Sequence, residues 1–247
     1  MGFREYFAEH ADLADALYQS GHTLICYVTA TAAIDALAAI WLTDFPTDAA
    51  NMRTEFGGTP PSAVRMARFV RRFAAGDPRT EKIAVVRFAE DAKRMASLGV
   101  ATAEVDALLA ARMPKMRGQL PPSHLDLDLS GLAREAPTLM GKPAVRRLAE
   151  EYQYPALLYS LYRCPTVHTF GWSKQTQGFV RNEEIMYMNL HKGFTSIGFG
   201  PKLATNWLRH SLDGYLEHCA RAGVKPAGNM NAGAEHEDIM RRKWAKI

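Results

Sequence analysis

Between Leu24 and Leu42 the chain carries an almost unbroken apolar run, interrupted by Thr29, Thr31 and a single charge, Asp35. Apolar residues recur on nearly every side of a helix drawn through 22–44, so no face of it can be left wholly to water. A bilayer or the centre of a protein core would satisfy such a helix. No Lys or Arg lies between Arg4 and Arg53 to flank a membrane span, and a carboxylate at the midpoint is expensive in hydrocarbon. The run therefore reads as the buried central helix of a bundle, with no membrane partner. Asp35 reads as a group that must find a partner inside that bundle. The start of the chain lacks a basic region followed by an apolar stretch and a small-residue cleavage site, so no secretory signal is expected.

Around this helix the pattern is mostly helical. Residues 3–19 repeat Phe3, Phe7, Leu13, Leu17 and Tyr18 near a 3.6 period. Further helices are expected over 62–75, 80–98, 102–113 and 201–220. Another begins at Pro143 and restarts or kinks at Pro155. Gly and Pro make 45–61 a loop and 114–142 a long irregular connection. Glu184–Leu190 and Thr195–Phe199 read as short strands about His191-Lys192-Gly193, a β-hairpin. The fold class is mostly α, a helical bundle with a small β-hairpin insertion. A single helical domain is expected over 1–221, with a polar tail over 222–247; 247 residues are ample for a buried core.

Composition narrows the chemistry. Cys26, Cys164 and Cys219 form no pair in sequence, and the odd count fits a reduced, cytoplasmic protein. The first fifty residues hold one basic and seven acidic residues; the remainder hold 29 basic and 19 acidic, a net charge of +10. A basic body suits a polyanion such as nucleic acid, or is simply a solvated surface. No GxxxxGK[ST], GxGxxG, GxSxG or HExxH motif occurs. No two of the eight histidines stand four apart, and His210 and His218 share a helix without a third ligand, so neither metal nor cofactor is expected.

One segment stands out, Leu157-Leu-Tyr-Ser-Leu-Tyr-Arg163-Cys-Pro-Thr-Val-His168. Arg4–His10 and Arg117–His124 have similar spacing, but the first lies near the chain start and the second spans Pro121-Pro122. Arg163 instead closes an apolar Leu-Tyr-x-x-Tyr-Arg stretch and is followed by the aliphatic-His pair Val167-His168. With Ala33-Ile34-Asp35-Ala36-Leu37, an acidic residue inside an early apolar helix, this segment resembles the HEPN superfamily of metal-independent ribonucleases. The layout is similar over roughly 15–220. The resemblance implies a helical fold and endoribonuclease activity by 2′-hydroxyl attack, leaving 2′,3′-cyclic phosphate and 5′-hydroxyl ends. It also implies motifs that meet at a homodimer interface. A toxin or anti-phage effector of the abortive-infection kind, with an antitoxin partner, would fit. The family usually has a polar residue after the arginine; here Cys164 and Pro165 follow. Proline either ends the helix near Arg163 or opens a new one at its first position, whose N–H groups would point toward a phosphate.

In such cleavage the nucleophile belongs to the RNA, so the protein needs a proton-transfer group and a fixed cation. His168, with an ordinary pKa of about 6.5, supplies the first, and Arg163, with its planar fork of donors, the second. On a straight helix the two would lie about 140° apart with a rise of about 7.5 Å, and a two-fold dimer would bring both pairs into one cleft. Asp35 is expected to support Arg163 or His168; the alternative is a Thr or Tyr hydroxyl partner. Cys164 and Thr166 lie inside the motif, and Thr166 either touches phosphate or caps a helix. Lys174, Arg181 and Lys192 are candidate RNA contacts if the hairpin folds beside the motif. Tyr159 and Tyr162 read as core. Arg65, Arg68, Arg71 and Arg72 read as a solvated helix face, alternatively as a track for an RNA backbone. Two other functions remain open: a catalytically inactive HEPN-like dimerisation or binding module, and a helical regulatory protein.

Overall fold

The computed structural model describes residues 2–94, 99, 102–113, 123–163, 180–190 and 194–226. Among them are eleven α-helices and one two-stranded antiparallel sheet, so the chain is mostly α with a small hairpin. Helix α1 (Phe3–Gln19) packs on α2 (Thr23–Asp44), and Pro46 opens α3 (Pro46–Phe56). The stretch 45–61 is thus a helix followed by a short loop. Pro46 occupies the first turn, where its missing N–H costs nothing, and Gly57, at φ +66°, ends the helix in the left-handed conformation that glycine adopts freely.

Helix α4 (Ser62–Phe73) follows. The helix expected over 80–98 begins later, as α5 (Val85–Arg94), behind a short 3₁₀ turn at Pro78–Glu81. Lys82–Ala84 is drawn out instead by distant partners: Ile83 donates to Leu127, Tyr154 donates to Lys82, and Ala84 donates to Tyr152. Helix α6 (Thr102–Arg112) comes next. The irregular connection over 114–142 contains, in its described part, a 3₁₀ turn at Ser123–Leu125, α7 (Leu129–Glu135) and α8 (Pro137–Met140). The Asp128 carboxylate caps α7 by accepting from the Gly131 amide at 2.7 Å.

Helix α9 (Pro143–Glu151) and α10 (Tyr154–Leu158) lead into a π-helical turn, Tyr159–Arg163. Strands β1 (Ile185–Leu190) and β2 (Phe194–Phe199) pair with Tyr187 opposite Ile197, and α11 (Pro201–Ala222) closes the described chain. Residues 227–247, most of the expected tail, lie outside the described residues.

Two apolar clusters fill the interior. One gathers α1, α2, α4, α10, the π turn, the hairpin and α11 around Tyr27, Tyr162 and Trp207; the other gathers α5 to α9 around Phe88, Leu132 and Val145. Helix α2 packs on α1, α4, α11 and the π turn. It is long and apolar enough to cross a membrane, yet ten of its residues are buried in the protein. Its burial is not all-round: Ile25, Ala36 and Ala39 remain exposed.

The two clusters and the hairpin meet at Asp126, which is 2% exposed. Its carboxylate accepts from Tyr154 Oη on α10 (2.5 Å), Tyr187 Oη on β1 (2.6 Å) and the Val85 amide at the start of α5 (3.0 Å). Burial outweighs those bonds and the nearby Arg112, and pushes the carboxyl up to about 6 from its ordinary 3.8. The folded state therefore holds this proton more tightly than the unfolded chain does. That contribution is fully present below pH 4, is lost as pH climbs through about 6, and amounts to about 3 kcal/mol. Asp126→Asn removes the titration. The stability of wild type relative to the variant should fall between pH 4 and pH 7 in chemical unfolding; a constant difference would contradict this assignment.

Candidate active site

Asp35 sits mid-way along α2 with 8% of its surface exposed. Two guanidinium groups share it. Arg65, in the first turn of α4, places Nη2 2.5 Å from Asp35 Oδ1, and Arg163, at the end of the π turn, places Nη2 3.4 Å from Oδ2. The expected Asp35–Arg163 pairing is present. Arg65 is a partner that the sequence did not single out, because it belongs to a run of four arginines that reads as one solvated face.

Two cations on one carboxylate leave an excess charge of one. The Nε atoms of both Arg65 and Arg163 are buried without a hydrogen-bond partner among the described residues. Such orphaned donors are unusual in native proteins. The arrangement is a partly buried cationic pair whose single counter-charge satisfies only part of its donor capacity.

The π turn is what brings Arg163 here. π turns occur as single turns within α-helices, often at functional sites. The guanidinium also lies over the Tyr159 ring, 5.2 Å from its centroid. Tyr162 is fully buried and its ring stacks on Tyr27 at 4.2 Å. Its hydroxyl accepts from the Phe199 amide at 3.0 Å, and Tyr27 donates to the Phe199 carbonyl. The two tyrosines thereby tie the end of β2 to the motif helix and to α2. The other end of β2 is held by α5: Arg87 donates to the Thr195 carbonyl at 2.8 Å, and Thr195 Oγ1 donates to Glu90 at 2.8 Å.

The rest of the arginine run on α4 is mostly taken up by carboxylates. Arg68 donates to both Glu55 and Glu150, and its bond holds the Glu55 carboxyl below the usual range. Arg72 pairs with Asp48 at 3.1 Å and lies over the Trp41 ring. Among the described residues, the Arg71 side chain alone of the four has no ion pair or hydrogen bond, so the expected solvated face is in large part a row of ion pairs.

Cys164, Thr166, His168, Lys174 and Lys192 lie outside the described residues. So does the choice between a helix ending near Arg163 and one restarting at Pro165. Arg181 is exposed in the segment leading into β1. Comparison with protein-family models, with curated proteins and with solved structures finds no match to the chain.

Proposed function

We propose that the chain is a HEPN-type, metal-independent endoribonuclease that works as a homodimer in the cytoplasm, with Arg163 and His168 as its catalytic pair. The observation that carries this reading is the Asp35–Arg163–Arg65 cluster. A carboxylate fixes the motif arginine at a defined place, while a second arginine keeps the local charge positive, as a pentacovalent phosphate would require. In this reading Arg163 holds the non-bridging phosphate oxygens. His168 takes the 2′-hydroxyl proton from one side or returns a proton to the 5′-oxygen from the other, the two roles divided between the subunits. No metal enters, because the nucleophile is the substrate's own hydroxyl. A second copy would also cover the exposed stripe Ile25, Ala36 and Ala39 on the helix that carries Asp35.

A toxin or phage-defence effector held by an antitoxin is the setting that the proposal favours. The second reading, an inactive HEPN-like binding module, is favoured by one fact: Arg163 is already engaged by Asp35 and by the Tyr159 ring within one chain.

Cleavage of a structured RNA in EDTA separates the two. The ribonuclease should yield 2′,3′-cyclic phosphate ends, and Arg163→Ala and His168→Ala should each lower the rate by about 10²–10³-fold while leaving the fold intact. Equal rates in wild type and both variants would sink the reading.

A further inference from the structure

The joint at Asp126 has two ways of satisfying its hydrogen bonds. Asp126 Oδ2 accepts from both Tyr154 Oη and Tyr187 Oη, while Oδ1 accepts from the Val85 amide. All three partners donate. A carboxylate needs that, but a carboxylic acid cannot use it in full, because its own O–H must find an acceptor. Tyr154 Oη has a second acceptor within reach, the Ser123 carbonyl at 3.4 Å. Tyr187 Oη has Asp126 alone among the described residues. A proton on Oδ2 therefore turns the hydroxyl of Tyr154, which accepts from the acid and passes its own hydrogen to Ser123.

Ser123 also holds the hairpin from this side. Its Oγ donates to the Ile185 carbonyl at 3.1 Å, at the start of β1. Two residues along, Tyr187 is 1% exposed and stands opposite Ile197 of β2. Protonation thus exchanges a buried charge for a neutral chain, Tyr187–Asp126–Tyr154–Ser123, that links β1 and α10 to the 3₁₀ turn. Around the carboxyl stand Arg112 on α6, which pairs with Glu135 of α7 at 2.8 Å, and Lys82 ahead of α5, which donates to the Asp126 carbonyl at 3.0 Å. Neither forms an ion pair with the carboxylate among the described residues, so the negative charge rests on the three donors. In the same stretch His124 is exposed, and Asp128 caps α7.

We propose that Asp126 is a proton-operated latch on the hairpin: the neutral acid holds the 3₁₀ turn, α10 and β1 together, and the carboxylate lets the hairpin open locally. Burial raises this carboxyl to about 6, so the latch is closed below pH 4 and loosens as pH rises through about 6. The hairpin is tied through the Phe199 amide to Tyr162, the residue before Arg163. The latch therefore acts on the candidate site from a distance, and it stands whether or not that site cleaves RNA.

Hydrogen exchange of the full chain, read by mass spectrometry at pH 5 and pH 7.5 and corrected for intrinsic rates, tests this. Peptides covering β1 and β2 should open about tenfold more often at pH 7.5, and those covering α1 should not share the change. Asp126→Asn puts a donor where the proton sits, so it should abolish the difference and hold the hairpin at both pH values. In protein labelled with ¹³C at tyrosine Cζ, the Tyr154 resonance, assigned by its loss in Tyr154→Phe, should step with the same midpoint. An equal change in α1 would mean global unfolding and would overturn the latch. So would hairpin peptides that do not respond to pH, a response that Asp126→Asn retains, or a Tyr154 resonance that stays flat across the range.

Discussion

Asp35→Ala is expected to destabilise the protein by about 3 kcal/mol. Asp35 is the shared counter-charge of Arg65 and Arg163, whose side chains are 19% and 27% exposed. Removing one partner from a largely buried pair leaves an uncompensated charge, which typically costs about 3–5 kcal/mol; the partial exposure of both arginines places the cost at the lower end. Here two guanidinium groups would be left facing each other, so repulsion adds to the lost attraction. The effect should be non-additive: Asp35→Ala/Arg65→Met should recover part of the loss, because it removes one of the stranded cations. A double-mutant cycle by denaturant unfolding reads this directly. Full additivity would show that the cluster is not energetically coupled. Asp35→Asn should be milder, since its amide oxygen can still accept from one arginine.

Gly214→Ala, inside α11, should lower the melting temperature by several degrees, up to roughly 8 °C, although alanine is the better helix former. Propensity alone predicts a gain of about 1 kcal/mol. However, a Cβ at Gly214 would lie 2.1 Å from the Phe73 carbonyl oxygen, at the end of α4. That contact is backbone and cannot rotate away, so α4 and α11 must separate. Overpacking of this kind costs about 1–3 kcal/mol, occasionally more. The two helices belong to the cluster around Trp207, which donates from Nε1 to Asp77 at 2.9 Å, so separation would loosen that bond as well. Thermal unfolding of the variant decides between the opposing signs: an unchanged or raised melting temperature would mean that the close approach is easily relaxed.

Much of the fold was legible because it depends on local pattern. The apolar run of α2 announced a central helix, and Pro201 and the apolar spacing after it announced α11. The alternation about His191-Lys192-Gly193 announced the hairpin. What was not legible depends on distant partners or very short signals. The clustered Gly57, Gly58, Pro60 and Pro61 masked α3, whose only marker was Pro46 at its start. Helix α8 is four residues long, too short for any periodicity. Lys82–Ala84 is extended because Leu127 and Tyr152 accept from it, and nothing within 80–98 reports that. At the candidate site, a lone carboxylate in an apolar helix was enough to predict a buried partner. Arg65 was hidden because a guanidinium that turns inward, as those of Arg65 and Arg68 do, has the same sequence signature as one that faces water.

The π turn before Arg163 has a consequence for how this segment tolerates change. A π turn holds one residue more than the α turn it replaces, so the guanidinium reaches Asp35 through the phase of the backbone as well as through its rotamer. Dropping one residue from Tyr159–Tyr162 would let that turn rewind as an α turn with position 163 near its present phase, whereas dropping two would swing it by about 100° around the helix axis. The extra residue of the π turn is thus a reserve of one position, beyond which a change of length would carry Arg163 away from Asp35.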